Sequence, residues 1–213
     1  MRFPKTNYVA APAKTLIREL LLSLPYEEQR GRVLSFGGPY GTDLGMFARN
    51  GHQVVSLERE PDVFAFQRSH IIHPSITIRR DSVEEYAAWW DRNGTAEEPF
   101  TLAFLDFCGP YTTRREKATS LLLKNRLIAP EGFLAVTYTE ARETPADMRR
   151  SKALQLAKTW DNLLDNRFEF FRRATQSLAP NSVHLDKWST VRYLNDEGHM
   201  AMMFMCCQVH YEE

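Results

Sequence analysis

The chain is short of the features that mark exported, metal-binding and membrane proteins. It has three cysteines, Cys108, Cys206 and Cys207, and none forms a C-x-x-C pair. That excludes a disulfide framework or zinc knuckle and fits a reducing compartment. The opening MRFPKTNYVAAPAK holds no apolar stretch of signal-peptide length, and the longest apolar runs elsewhere are strand-sized. Export and membrane insertion are therefore not expected, and the cytoplasm is the expected location. The histidines, His52, His70, His73, His184, His199 and His210, lack metal-ligand spacing, so no metal is expected. Net charge is missing too: 27 Lys plus Arg balance 27 Asp plus Glu, which argues against nucleic-acid binding by bulk charge alone. No repeat, low-complexity tract or dividing linker is present. Residues 1–213 are read as one domain, with 1–30 as an N-terminal helical extension.

The charge that is present is unevenly placed. Residues 114–173 carry thirteen basic and eight acidic side chains, an excess that follows the segment argued below to be catalytic. Two readings stand: a basic edge for an anionic substrate, or a solvated helical face.

Elements alternate along the chain. Leu16, Ile17, Leu20, Leu21 and Leu24 make a helical stripe that Pro25 ends. A strand over Arg32 to Phe36 is followed by a helix to about Asn50, capped by Thr42 or Asp43, and by a strand over Gln53 to Leu57. Pro61 starts a helix to about Ile71, Ile76 to Ile78 is a short strand, and a helix runs from Val83 to about Asp91. Phe100 to Leu105 is apolar almost without break, as a strand covered on both faces requires. A helix from about Arg114 to Arg126 leads through Pro130-Glu131-Gly132 to a strand over Phe133 to Thr139. Ala153, Leu156, Ala157, Trp160, Leu163 and Leu164 predict a long amphipathic helix. Phe168 to Ala174 is read as a strand, and Ser189 to Leu194 with Met200 to His210 as a hairpin. The order predicts an α/β fold, a doubly wound and mostly parallel seven-stranded sheet closed by an antiparallel hairpin.

Two short stretches carry chemistry. The first is Gly37-Gly38-Pro39-Tyr40-Gly41 after the first strand, with Glu58 closing the second. Glycine at the end of a parallel strand lets backbone approach a ligand closely, and the next helix points amide hydrogens there. An acid about 20 residues on suits a ribose diol, so the pair predicts an adenosine-type cofactor. The second is Asp106-Phe107-Cys108-Gly109-Pro110-Tyr111, leaving the central strand at the edge where α/β sheets bind ligands. Cys108 is open to two readings, a nucleophile or a small residue in a tight turn. Tyr40 and Tyr111 are candidates for the wall of a target pocket.

Together these elements and motifs, over about Arg32 to His210, resemble the class I S-adenosylmethionine-dependent methyltransferases. That family's first strand typically ends in acid-x-Gly-x-Gly-x-Gly; the matching positions are Ser35, Gly37, Pro39 and Gly41, with Gly38 beside them. The resemblance implies S-adenosylmethionine as cofactor, with Glu58 on the ribose, Asp81 on the adenine amino group, the Ser82 amide on the ring, and Ser35, Gly37, Gly38 and Gly41 shaping the rest. Serine replaces the usual acid and Pro39 the middle glycine. The Asp106 segment is similar to the Asp/Asn-Pro-Pro-aromatic loop of amino-directed members, with Phe107-Cys108-Gly109 inserted before Pro110 and Tyr111. There the acid and a backbone carbonyl take the hydrogens of the target nitrogen, so catalysis is by orientation. The resemblance thus makes Asp106, Pro110 and Tyr111 catalytic; Tyr40 beside the glycine loop, and Arg114, Arg115 and Arg142 on one basic rim of the sheet, are the candidate substrate-binding residues. The activity it implies is methyl transfer to an amino nitrogen of an RNA or DNA base, and with 213 residues leaving little room for a target-recognition domain, either a partner subunit for recognition or relaxed specificity is expected. Two alternatives stay open: a small-molecule or protein acceptor, and a silent scaffold with the same fold.

Overall fold

A computed structural model describes residues 12–25, 31–93, 97–110, 112–139, 167–194 and 201–212. Seven strands form one sheet: β1 Arg32–Ser35, β2 Gln53–Leu57, β3 Ile76–Arg79, β4 Phe100–Pro110, β5 Ile128–Thr139, β6 Val183–Leu194 and β7 Ala201–Tyr211. Their order is β3-β2-β1-β4-β5-β7-β6. The first five are parallel, and β7 runs antiparallel between β5 and β6. The described helices are α1 Pro12–Ser23, α2 Thr42–Arg49, α3 Pro61–His70, α4 Val83–Asn93, α5 Thr113–Lys124 and α6 Arg167–Gln176. The α/β architecture expected from the sequence, hairpin included, is the one observed. None of the described helices is long and apolar enough to cross a membrane. The amphipathic helix predicted over 153–164 lies outside the described residues, as does the hairpin turn.

Successive strand residues face opposite sides, so each sheet face builds its own core. Leu34, Val55, Ala103, Leu105, Leu134 and Val136 pack with Tyr86 and Trp90 of α4, Leu122 of α5 and Ala174 of α6. On the other face Val33, Val54, Leu102, Phe104 and Ala135 meet Ile17 and Leu21 of α1 and Leu44 and Phe47 of α2. Being covered twice is why β4 reads as a continuous apolar run.

Four expectations need correction. Phe168 to Ala174 is helical, within α6, because Glu169 finds Arg172 three residues on at 2.7 Å and Arg173 four residues on at 2.5 Å, a spacing that only a helix brings together. The Arg172 hydrogen bond foremost holds the Glu169 carboxyl down at about 2. Strand β5 starts at Ile128, so Pro130-Glu131-Gly132 forms an irregularity inside it, with Glu131 at φ 61°. Strand β6 starts at Val183 and carries a shift between Asp186 and Ser189, with Lys187 at φ 47°. Gly41, in a left-handed conformation, occupies the N-cap of α2 with no side-chain cap, and Asp43 instead accepts from Arg18 Nε at 2.6 Å.

The irregular strands meet at His210 of β7. Its Nδ1 lies 2.5 Å from Glu131 Oε1 and its Nε2 2.8 Å from Asp186 Oδ1, joining three strands at the end of the sheet away from Asp106. Burial alone would lower the imidazole pKa, but the two carboxylate hydrogen bonds outweigh it and the net shift is upward. A histidine raised in this way adds stability below its unfolded value, lost as pH rises through the folded one. His210→Gln should therefore lower Tm by more at about pH 6 than at about pH 9. Equal losses in thermal melts at both pH values would refute the charged clip.

Candidate functional site

At the carboxyl ends of β1, β2, β3 and β4 lies an open cavity of about 440 Å³, of a size for a nucleotide-like ligand. Glu58, Asp81, Ser82, Asp106, Arg114 and Arg115 all line it. Six residues from four separate stretches of sequence thus converge on one crevice, as the doubly wound order dictates.

Glu58 follows β2, and its Oε1 accepts the Glu60 amide at 2.8 Å. Burial pushes its carboxyl pKa up, against the lowering from the Glu60 and Arg59 amides. Asp81 follows β3 and accepts from Arg79 Nε at 2.8 Å; the Arg79 guanidinium in turn lies over Trp89 at 4.2 Å and Tyr86 at 4.9 Å. Asp81 is therefore fixed by a stacked cation. The helix after it is capped by Ser82, whose Oγ accepts the Glu85 amide at 3.2 Å while the Ser82 amide donates to Glu85 Oε2 at 2.7 Å. Ser82, not Asp81, is therefore the cap, and the Ser82 amide expected on the adenine ring is engaged by Glu85 of its own helix.

The glycine loop divides its labour. Gly41 amide donates to the Gly37 carbonyl at 3.0 Å, closing the turn. A Cβ on Gly37 would fall 2.5 Å from Leu44 Cδ1, and one on Gly41, at φ 58°, 2.2 Å from Ile71 Cδ1. Those two are demanded by packing. Gly38, at φ 53°, has nothing within 4 Å of the Cβ position, so this is the glycine whose surroundings leave room for close approach. Gln67 of α3, fully buried, donates from Nε2 to the Gly38 carbonyl at 2.5 Å and ties the loop down. Ser35 is buried beside it, and its Oγ has no hydrogen-bond partner among the described residues. None of these loop residues lines the cavity, and Tyr40, 52% exposed, stands outside it with its edge to Phe66 at 6.3 Å.

The acceptor side is built on a bulge. Asp106 pairs with Thr137 and Pro110 with Thr139, so four steps along β4 answer two along β5. The expected loop is thus mostly strand, and Phe107-Cys108-Gly109 is accommodated as a bulge that turns Asp106 and Phe107 into the cavity. Phe107 stacks on buried Tyr138 at 5.6 Å and meets Phe36 at 5.5 Å. Arg115, on α5 behind its Thr112 cap, donates from Nη2 to the Phe107 carbonyl at 3.1 Å and lies over the Phe107 ring. A Cβ on Gly109 would fall 2.5 Å from that guanidinium, so glycine there makes room for it. Arg115 thus braces the bulge and Arg114, exposed, pairs with Glu84 at 3.4 Å. Pro110 ends β4. Tyr111 and Arg142 lie outside the described residues.

The sequence reading missed Phe36, Phe107 and Lys14. Lys14 forms a largely buried ion pair with Asp106 through Nζ and Oδ2, the two side chains 9% and 11% exposed. Its signal was present: Lys14, Ile17 and Leu21 are the buried positions of α1, and the first of the three is a cation.

This fold recurs in solved structures. The fold is that of the class I S-adenosylmethionine-dependent methyltransferases. One from Agrobacterium tumefaciens superposes with a TM-score of 0.59 at 11% identity, over 93% of this chain and 63% of its own length. The N-methyltransferase NodS of Bradyrhizobium japonicum WM9, in complex with S-adenosyl-L-homocysteine, gives 0.55 at 11%, covering 95% of this chain and 90% of NodS. TYW2 of M. jannaschii, in complex with AdoMet, gives 0.54 at 8%, covering 95% and 78%. No protein-family model and no curated protein matches the sequence.

Proposed function

We propose that the chain is a methyltransferase that uses S-adenosylmethionine to methylate an amino nitrogen of a nucleic acid base, acting in the cytoplasm. The observation that carries this is the convergence of Glu58 and Asp106, from different strands, on one cavity beside the glycine loop.

The residues present fit the cofactor. Gly38 leaves open space for backbone approach, Ser35 Oγ is a buried oxygen without a described partner, and Glu58 is a half-buried carboxylate at the strand end. Glu58 would take the ribose hydroxyls and Asp81 the adenine amino group. When bound, the cofactor supplies an electrophilic methyl on a sulfonium. Asp106 accepts a hydrogen of the acceptor nitrogen and turns its lone pair, which is catalysis by orientation and needs no strong base. As the nitrogen gains positive charge, the carboxylate offsets it. Phe107, held by Tyr138 and Arg115, gives the cavity an apolar wall against which a base can pack. Exposed Arg114 and the basic excess after it suit phosphates.

Incubation with tritiated S-adenosylmethionine and separate pools of tRNA, rRNA, DNA and protein tests the reading. Label is expected in a nucleic acid pool. Label in protein alone would replace the acceptor class, and calorimetry showing no uptake of S-adenosylhomocysteine would leave a silent scaffold.

A further inference from the structure

We propose that Lys14 is a positioning residue for the acceptor site: carried in by α1, its ammonium fixes the orientation of the Asp106 carboxylate. The inference rests on the methyltransferase reading above.

Lysine is almost never buried unless paired, and here it occupies the buried stripe of an otherwise leucine-rich helix. Its partner is 92 residues away in sequence and belongs to the cavity. Asp106 lines that cavity and Lys14 does not, so the ammonium reaches the carboxylate from the α1 side and leaves the acceptor's space alone. The terminal torsion of an aspartate is soft, and a carboxylate that orients a nitrogen must be held within about 10–20°. An ion pair sheltered from water supplies that hold.

Stability does not account for the pair. Ile17 and Leu21, almost wholly buried, supply apolar burial that docks α1. Arg18 adds a second anchor, to Asp43 in the first turn of α2. A lysine at the third contact brings a desolvation cost that an apolar residue would avoid, and such replacements are often neutral or stabilising. What an apolar residue could not do is hold Asp106.

The test compares Lys14→Met, Lys14→Arg and Arg18→Met in the full chain. Readouts are single-turnover transfer from tritiated S-adenosylmethionine to a mixture of total RNA and denatured DNA, and S-adenosylhomocysteine affinity by calorimetry. Lys14→Met should slow transfer about 10- to 100-fold with affinity for S-adenosylhomocysteine within about threefold, because orientation is lost and cofactor contacts are not. Lys14→Arg should restore most of the rate. Arg18→Met loosens α1 without touching Asp106 and should stay within about threefold of the wild type. Wild-type speed in Lys14→Met, or an equal loss in Arg18→Met, would overturn the inference and leave the functional reading standing. Failure of the wild type to bind S-adenosylhomocysteine or label either nucleic acid would remove both.

One measurement is independent of turnover and of how well a variant folds. Reductive methylation of the wild-type protein, mapped by mass spectrometry, should spare Lys14 while modifying exposed Lys117 and Lys187. Equal modification of all three would show that the ion pair does not exist.

Discussion

Asp106→Ala should reduce methyl transfer by about a thousandfold while affinity for S-adenosylhomocysteine stays within a few fold. The magnitude follows from its role. Orientation of a reacting nitrogen can supply several kcal/mol, each 1.36 of which is a factor of ten in rate. In the proposed site the cofactor would be held elsewhere, by Glu58, Asp81 and the loop around Gly38, so binding and chemistry should separate. Asp106→Asn should fall between wild type and alanine, since the amide oxygen still accepts one hydrogen but offers no charge to the nitrogen as it turns cationic. The alanine variant removes the charge that Lys14 faces across a sheltered ion pair, an effect worth about 3–5 kcal/mol in fully buried cases and less here. A lowered Tm is therefore expected for Asp106→Ala and a smaller drop for Asp106→Asn. Rates measured well below both Tm values keep the two effects apart. Full turnover in Asp106→Ala would remove the catalytic assignment altogether.

How much of this was legible in the sequence depends on whether the signal was local. The parallel core was, because strands covered on both faces must be continuously apolar, as Phe100 to Leu105 is. Glu58 and Asp81 were, because strand ends in this topology project toward one crevice. The character of α6 was not read: Phe168, Phe170 and Phe171 suggest a strand, and only the pairing of Glu169 with Arg172 and Arg173 decides for a helix. The bulge after Asp106 is visible as three residues inserted before Pro110, but whether they form a loop or stay in register depends on β5 alongside. The acceptor of the Ser82 amide is also local, Glu85 three residues on in a capping box, so its engagement is legible from the Ser-x-x-Glu spacing. The Lys14 contact joins residues 92 apart in sequence, so no window of local pattern contains both ends. The parallel β-α topology makes it possible, by bringing the first helix across the end of the fourth strand.

Glu58 should separate stability from function in opposite directions. A carboxylate facing a ribose diol accepts two hydrogen bonds, each worth about 1.5–3 kcal/mol when the acceptor is charged, so Glu58→Ala should weaken S-adenosylhomocysteine binding by about a hundredfold or more. Calorimetry reads this directly. Burial raises the Glu58 pKa, so the protonated form populates at higher pH than for an ordinary glutamate. Binding needs the carboxylate, so protons compete with the ligand. The wild-type Kd should therefore rise as pH falls through a window that begins above the usual value of 4.5. In Glu58→Gln the Kd should be weaker throughout and nearly flat across the same window. The same shift fixes the sign for the empty protein. A carboxyl whose folded pKa lies above its unfolded one opposes folding at neutral pH and stops doing so as pH falls through that pKa. Glu58→Gln should accordingly raise the Tm of the cofactor-free protein at neutral pH while lowering that of the protein saturated with S-adenosylhomocysteine relative to wild type. A variant that melts lower without ligand, or that binds as tightly as wild type, would mean that Glu58 serves the strand end and not the ribose.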